Sequence, residues 1–306
     1  MDYKNHFDFM KNRNKFFMTS IAILLIGLIV LVTMNLNYGV DFKAGTSLDI
    51  NMGQSVTKEK VDQAFESSGF KPAITTLSGS NNDHVSARFD TILTEDEIKK
   101  VNSTMVATFG DKVSQEVNTV SPDIARELGY KAMIAVGIAS LAICIYVSIR
   151  FEWRFAVAAI IAILHDAFIV IAAFAIFRLE VNLPFLAAIL TTIGYSINDK
   201  IVIFDRVREN LRFSRIKTSE DLSNMLNASI WQTMSRNINT VITVLVAALC
   251  LFIFGSESIK LFALAKIVGL ASGAYSSICI ATPLWYLLKN KSLGSSSKTR
   301  ATAVKE

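Results

Sequence analysis

Six long apolar runs divide the chain, at 16–34, 132–149, 155–177, 183–204, 238–254 and 261–288. Each holds 17 residues or more, and roughly 20 apolar residues in a helix span a bilayer core. The runs predict six transmembrane helices in a one-plus-five layout. A longer, differently patterned stretch, 37–131, separates the first from the second. Apolar and polar positions alternate there with short period at 46–51, 72–77, 84–89 and 112–120. Helical periodicity takes over at 57–67 and 94–109. Thr94 and Glu97 stand at capping-box spacing before the second helix. The order β-α-β-β-α-β predicts a ferredoxin-like split βαβ domain. The chain therefore reads as an α-helical polytopic membrane protein carrying an α/β ferredoxin-like extracytoplasmic domain. Its parts are 1–36 (tail and first helix), 37–131 (the α/β domain), 132–288 (a five-helix bundle with a polar, helical cytoplasmic loop at 205–229) and 289–306 (the second tail).

Charge sets the orientation. Seventeen lysines and arginines fall on one side of the six runs: four in the N-terminal tail, two between the second and third, six between the fourth and fifth and five in the C-terminal tail. The short opposite loops hold only Arg178 and Lys260. The positive-inside rule then places both termini in the cytoplasm. Residues 37–131 contain 10 Lys/Arg and 14 Asp/Glu, so the basic excess behind the net charge of +5 lies in the rest of the chain, as an orientation signal and a surface for anionic lipid. Scattered over four loops, it is no nucleic-acid patch. Composition agrees, with 52% hydrophobic and 19% charged residues. Cys144, Cys250 and Cys279 all lie in apolar runs and outline neither a disulfide framework nor a metal site. The first run has a basic front but no small-x-small cleavage pattern, and reads as a retained anchor.

The informative chemistry lies inside the apolar runs, where a charge is costly and marks ion or proton pathways. His165 and Asp166 sit about eleven residues into the third span, ~16 Å deep. Asn198 and Asp199 sit about five residues from the cytoplasmic end of the fourth, ~7.5 Å. Arg236 enters the fifth span at a similar ~9 Å, which predicts an ion pair with Asp199. Two readings stand for Asp199: a static bridge that holds helices in register, or a titrating group. For Asp166, His165 and helix-end contacts offer a structural alternative, and for Arg236 the alternative is snorkelling to the interface. Lys200 is expected to snorkel to the cytoplasmic side, and Lys266 to the outer side. Gly269, Gly273 and Ser277, spaced by four, predict close helix packing. No phosphate-binding loop, G-x-S-x-G or H-E-x-x-H motif is present, so the chain reads as a non-enzyme, without cofactor or metal, driven by an ion gradient or a partner.

Several strings together resemble the SecF subunits of the SecD/SecF protein-export family, a branch of the resistance-nodulation-division (RND) transporter fold. YGVDFKAGT (38–46) is similar to the family's G-x-D-F-x-G-G-T element, and VSPDIAREL (120–128) to the entry of the second span. RFEWR (150–154), LHD (164–166), GYSIND (194–199), FDRVRE (204–209), NASIWQTMSR (227–236) and YSSI (275–278) complete the resemblance in order. Three positions depart from it: Ala44 replaces a glycine, Lys200 follows Asp199 where Thr or Ser is usual, and Lys266 is an added charge.

The resemblance implies a proton relay of Asp199, Arg236 and Asp166, supported by Asn198, His165 and Tyr195, and an outer-side motif of Gly39, Asp41, Phe42 and Gly45. It also implies a SecD-like chain, the SecYEG channel and unfolded preproteins as partners in the cell membrane, with late translocation driven by the proton-motive force. The alternative is a half-size RND-type efflux porter for a small amphiphile or lipid. That function calls for a larger outer domain than 37–131. A ligand-sensing receptor fits less well, for lack of a signalling domain after the sixth run.

Overall fold

A computed structural model describes residues 7–79 and 81–290. The expectations for the ends of both tails fall outside the described residues. Six helices are long and apolar enough to cross a membrane, matching the six apolar runs. They are α1 (Arg13–Met34), α5 (Pro122–Arg150), α6 (Trp153–Ile176), α7 (Leu183–Phe213), α8 (Ser219–Phe254) and a last stretch, Ile259–Asn290, that opens with α9 (Glu257–Ser276). A five-residue π-helical turn, Ser277–Ala281, interrupts the last stretch.

The α/β domain between α1 and α5 has the expected order. Strands β2 (Gly45–Asn51), β3 (Ile74–Ser78), β4 (His84–Phe89) and β5 (Ser114–Val120) form one antiparallel sheet in the order β3-β4-β2-β5. Helices α3 (Lys58–Ser68) and α4 (Glu95–Phe109) cross between them. The first and third strands of the unit pair at the centre, which is the split βαβ arrangement. Alternation along β2 and β4 sends Leu48, Ile50, Val85, Ala87 and Phe89 to one face, where they pack with Val61, Phe65, Val101 and Met105. Thr94 and Glu97 form the capping box: the Glu97 amide donates to Thr94 Oγ1 (3.4 Å), and the Thr94 amide to Glu97 Oε2 (2.7 Å). The Thr94 amide, and after it the Thr94 hydroxyl (3.0 Å), donate to the Glu97 carboxylate and hold it below its ordinary range.

Two short elements tie this domain to the bundle. Strand β1 (Asn37–Tyr38) pairs in parallel with β6 (Glu180–Val181), which lies between α6 and α7. Helix α2 (Val40–Lys43) follows β1 and packs on α5. On the opposite side of the bundle, α7 runs on past its apolar run to Phe213, and α8 begins at Ser219, capped by Thr218. The polar connection is thus two helical extensions and a short turn.

Inside the bundle, α6, α7 and the last helix form the centre, while α1, α5 and α8 lie outside and expose apolar side chains on most of their surface. Gly269 and Gly273 of α9 face Thr192 and Ser196 of α7: a Cβ on Gly269 would run into Thr192, and one on Gly273 would sit 3.4 Å from Ser196 Cβ. The small-residue seam therefore brings two helices of this chain together.

Candidate functional site

The motif of Gly39, Asp41, Phe42 and Gly45 is a clasp between domain and bundle. Gly39 caps α2 and donates its amide to the Val181 carbonyl (2.9 Å), closing the β1–β6 pair. The buried Asp41 accepts the Leu183 amide through Oδ2 (2.8 Å), satisfying one of the free N–H groups that open α7. Asn182 caps the same helix end by accepting from the Phe185 amide (3.0 Å). Phe42 packs on Tyr38, edge to face, and into the cluster around Phe174 and Phe185. Gly45 has φ 133° with the Phe89 carbonyl against the place a Cβ would take, so no other residue fits. Ala44 holds φ 66°, ψ 157°, a region that belongs almost entirely to glycine.

Behind the clasp, Arg88 donates to Asn37 Oδ1 (3.1 Å) and to the Tyr38 carbonyl (2.7 Å). Arg178 donates to the carbonyls of Met34 and Asn35, both at 2.7 Å, and so finishes α1. Glu180 lies within the same junction. Burial, with Asp49 and Asp41 nearby, lifts its carboxyl above the ordinary value, and the Arg88 charge opposes part of that lift.

The centre of the bundle holds Asp166. Its Oδ1 accepts from Ser272 Oγ (2.7 Å) and lies 3.1 Å from His165 Nδ1. Its Oδ2 accepts from Ser196 Oγ (2.5 Å), Ser276 Oγ (2.6 Å) and Lys200 Nζ (2.9 Å). Lys200 is wholly enclosed, at 0% exposure. The sequence placed this ammonium at the cytoplasmic surface, and the structure overturns that. Thr192, Ser196, Lys200, Ile203 and Val207 are all buried and recur every three or four residues. They line the inner face of α7, so the lysine stem runs inward to a carboxylate that offsets its cost.

Asp199, one residue away, is 6% exposed and forms no hydrogen bond or ion pair among the described residues. The charges that act on it are those of Lys200 and Asp166. The expected pair with Arg236 is absent among the described residues. The inward face of α8 follows Leu222, Leu226, Ser229, Thr233 and Asn237, and Arg236, roughly 100° off it, is exposed. Asn198 and Tyr195 are also exposed, and Lys266 lies over the Tyr195 and Phe262 rings (5.0 and 5.6 Å). His165 is buried against Asp166. Ser277 sits beside the cluster and donates to the Gly273 carbonyl (2.7 Å).

The NASIWQTMSR string anchors the N-terminal segment. Asn227 Oδ1 accepts the amides of Phe9 (3.1 Å) and Met10 (3.3 Å), and its Nδ2 donates to Asp8 (2.7 Å). Trp231 Nε1 donates to the Phe7 carbonyl (3.1 Å). The FDRVRE string ties α7 to α8, with Arg206 Nε donating to Gln232 Oε1 (2.6 Å). Serines 196, 272 and 276 and Lys200 were not among the candidate residues. Only the i, i+4 spacing of Ser196 with Lys200, and of Ser272 with Ser276, hinted at them.

An α/β domain clasped onto six apolar helices, with a charged cluster sealed at their centre, defines a multi-pass membrane protein. The family model described as "Protein export membrane protein SecD/SecF, C-terminal" matches residues 100–291. The chain is 44% identical to protein translocase subunit SecF of Alicyclobacillus acidocaldarius over 95% of each chain. It is 44% identical to protein translocase subunit SecDF of Bacillus subtilis, over 94% of this chain and 38% of that longer protein. The crystal structure of SecDF from Thermus thermophilus, a translocon-associated membrane protein, superposes with a TM-score of 0.83 at 31% identity, covering 95% of this chain and 40% of that one. The chain belongs to the SecD/SecF family of protein-export membrane proteins, and within it is similar to SecF.

Proposed function

We propose that this chain works as a SecF-type translocase subunit that pairs with a SecD-like chain and uses the proton-motive force to promote late preprotein movement through SecYEG. Both termini are cytoplasmic in this reading, and the α/β domain lies outside. No catalytic chemistry is involved. Protonation of Asp199 is the coupling event. Asp166 forms the fixed charge beside it, and Arg236 lies toward the partner or the aqueous route rather than in a permanent bridge.

One observation carries this reading: Asp199 is a buried carboxylate in a span without a bonding partner among the described residues. A group in that state has two unequal environments, charged and neutral, and can bias one helix arrangement over another as it exchanges a proton. The clasp at Asp41 and Gly39 supplies the mechanical link, because it joins the start of α7 directly to the outer domain.

Preprotein movement into sealed membrane vesicles, with and without a proton gradient, tests the proposal. Asp199→Asn keeps size and hydrogen-bonding capacity, so the complex with the SecD-like chain should persist while the gradient-dependent share of transport disappears. Wild-type transport by Asp199→Asn under a gradient would refute it.

A further inference from the structure

Lys200 Nζ sits among five oxygens. Ser196 Oγ is at 2.5 Å, Asp166 Oδ2 and Ser276 Oγ at 2.9 Å, the Ser196 carbonyl at 3.4 Å and Ser277 Oγ at 3.5 Å. An ammonium has only three protons to donate, so this shell offers more acceptors than a lysine can use. A spherical cation, by contrast, takes all the oxygens it can reach. The hydroxyls are already oriented for one: Ser196 and Ser276 spend their own protons on Asp166 Oδ2 (2.5 and 2.6 Å), which turns their lone pairs toward Nζ. A single carboxylate supplies the charge, enough to balance one monovalent ion.

The backbone is shaped for this shell as well. The π-helical turn opening at Ser277 brings the consecutive hydroxyls of Ser276 and Ser277 to the same ammonium. The Ser277 carbonyl, displaced from regular α-helical bonding, accepts from Thr282 Oγ1 (2.9 Å). Such turns recur at functional sites.

We propose that Lys200 is a built-in monovalent cation, seated in an oxygen cage of Asp166, Ser196, Ser276 and Ser277 that takes an alkali-metal ion once the lysine side chain is removed. The tethered charge closes this centre to exchangeable ions. Lys200→Thr reopens it, leaving a hydroxyl on α7 and a net charge of minus one. The inference does not rest on the proton coupling proposed above, because its readout is stability rather than transport.

The test is thermal unfolding of the full-length chain in detergent, in sodium, potassium or choline chloride at constant ionic strength. The wild-type Tm should be the same in all three salts. Lys200→Thr should melt lower in choline and recover saturably with sodium or potassium. An equal Tm for Lys200→Thr in all three salts would overturn the proposal, as would a wild-type response as large as the variant's. Should Lys200→Thr fail to fold, the decisive comparison is the folded yield of Lys200→Ser and of Lys200→Ser/Asp166→Asn in sodium or potassium against choline. A yield gain in sodium or potassium confined to the single variant supports the cage, and an equal yield in all three salts overturns it.

Discussion

In the α/β domain, Leu48, Ile50, Phe65 and Met105 are sealed inside, while Glu59, Glu66, Asp96 and Lys99 stand in the open. The transmembrane bundle does nearly the reverse. Met18, Val32, Ile149 and Phe254 point outward, and Asp166, Ser196, Lys200, Ser276 and Thr282 lie at the centre. The solvent explains both. In water, apolar area is what burial stabilises. In a bilayer the surroundings are already apolar, and helices are held by close packing and by polar groups that find partners only with each other. A charge on the domain surface thus has water to fall back on, whereas Asp166 and Lys200 have each other, His165 and four serines.

Identical chemistry should therefore have very different effects in the two regions. Asp166→Asn strands the Lys200 ammonium and should cost about 3–5 kcal/mol. Asp96→Asn, which removes the exposed ion pair with Lys99, should cost at most about 1 kcal/mol. Denaturant unfolding of both variants in the same detergent measures the contrast, and equal losses would break the comparison.

A smaller effect is expected at the joint between the regions. Ala44 occupies backbone space suited to glycine. Ala44→Gly should relieve strain of roughly 1–3 kcal/mol while adding up to about 1 kcal/mol of unfolded-state entropy. The net expectation is a gain of about 1 kcal/mol, read as a higher midpoint of unfolding.

The smallest effect is a pH dependence at Glu180. Its carboxyl is raised in the folded state, chiefly by burial. Its contribution to stability is therefore complete below the ordinary carboxylate range and is lost as pH rises through the raised value. Glu180→Gln should match wild type in acid and be more stable near neutrality. A Tm-against-pH curve that kept its wild-type slope in Glu180→Gln would remove Glu180 from the junction's pH response.

The periodic parts of this architecture were legible in the sequence. Runs of apolar residues set the six helices, and strict alternation set β2 and β4, because each pattern reports one face meeting one environment. The clasp was not legible in that way. Two-residue strands such as β1 and β6 have no period, and the bond from Leu183 to Asp41 joins residues 142 positions apart. The central site was read only in part. Asp166 and Asp199 stood out as charges in apolar runs, but their partners did not. Lys200 lies near the end of its apolar run, where snorkelling is the usual outcome. Its inward direction depends on the small residues of α9, which let that helix approach α7. Arg236 was matched to Asp199 by depth alone, and depth says nothing of the angle around a helix.

Two carboxylates in one bundle carry the proposed coupling: Asp166, bonded through both oxygens, and Asp199, proposed to exchange a proton. A hydrophobic carbodiimide, which attaches to protonated carboxyl groups in apolar surroundings, distinguishes them directly when the labelled chain is digested and its peptides are weighed. The account predicts an adduct on the peptide carrying Asp199 and none on the peptide carrying Asp166. Labelling of Asp166 at an equal rate, or an Asp199 that stays unmodified, would contradict it.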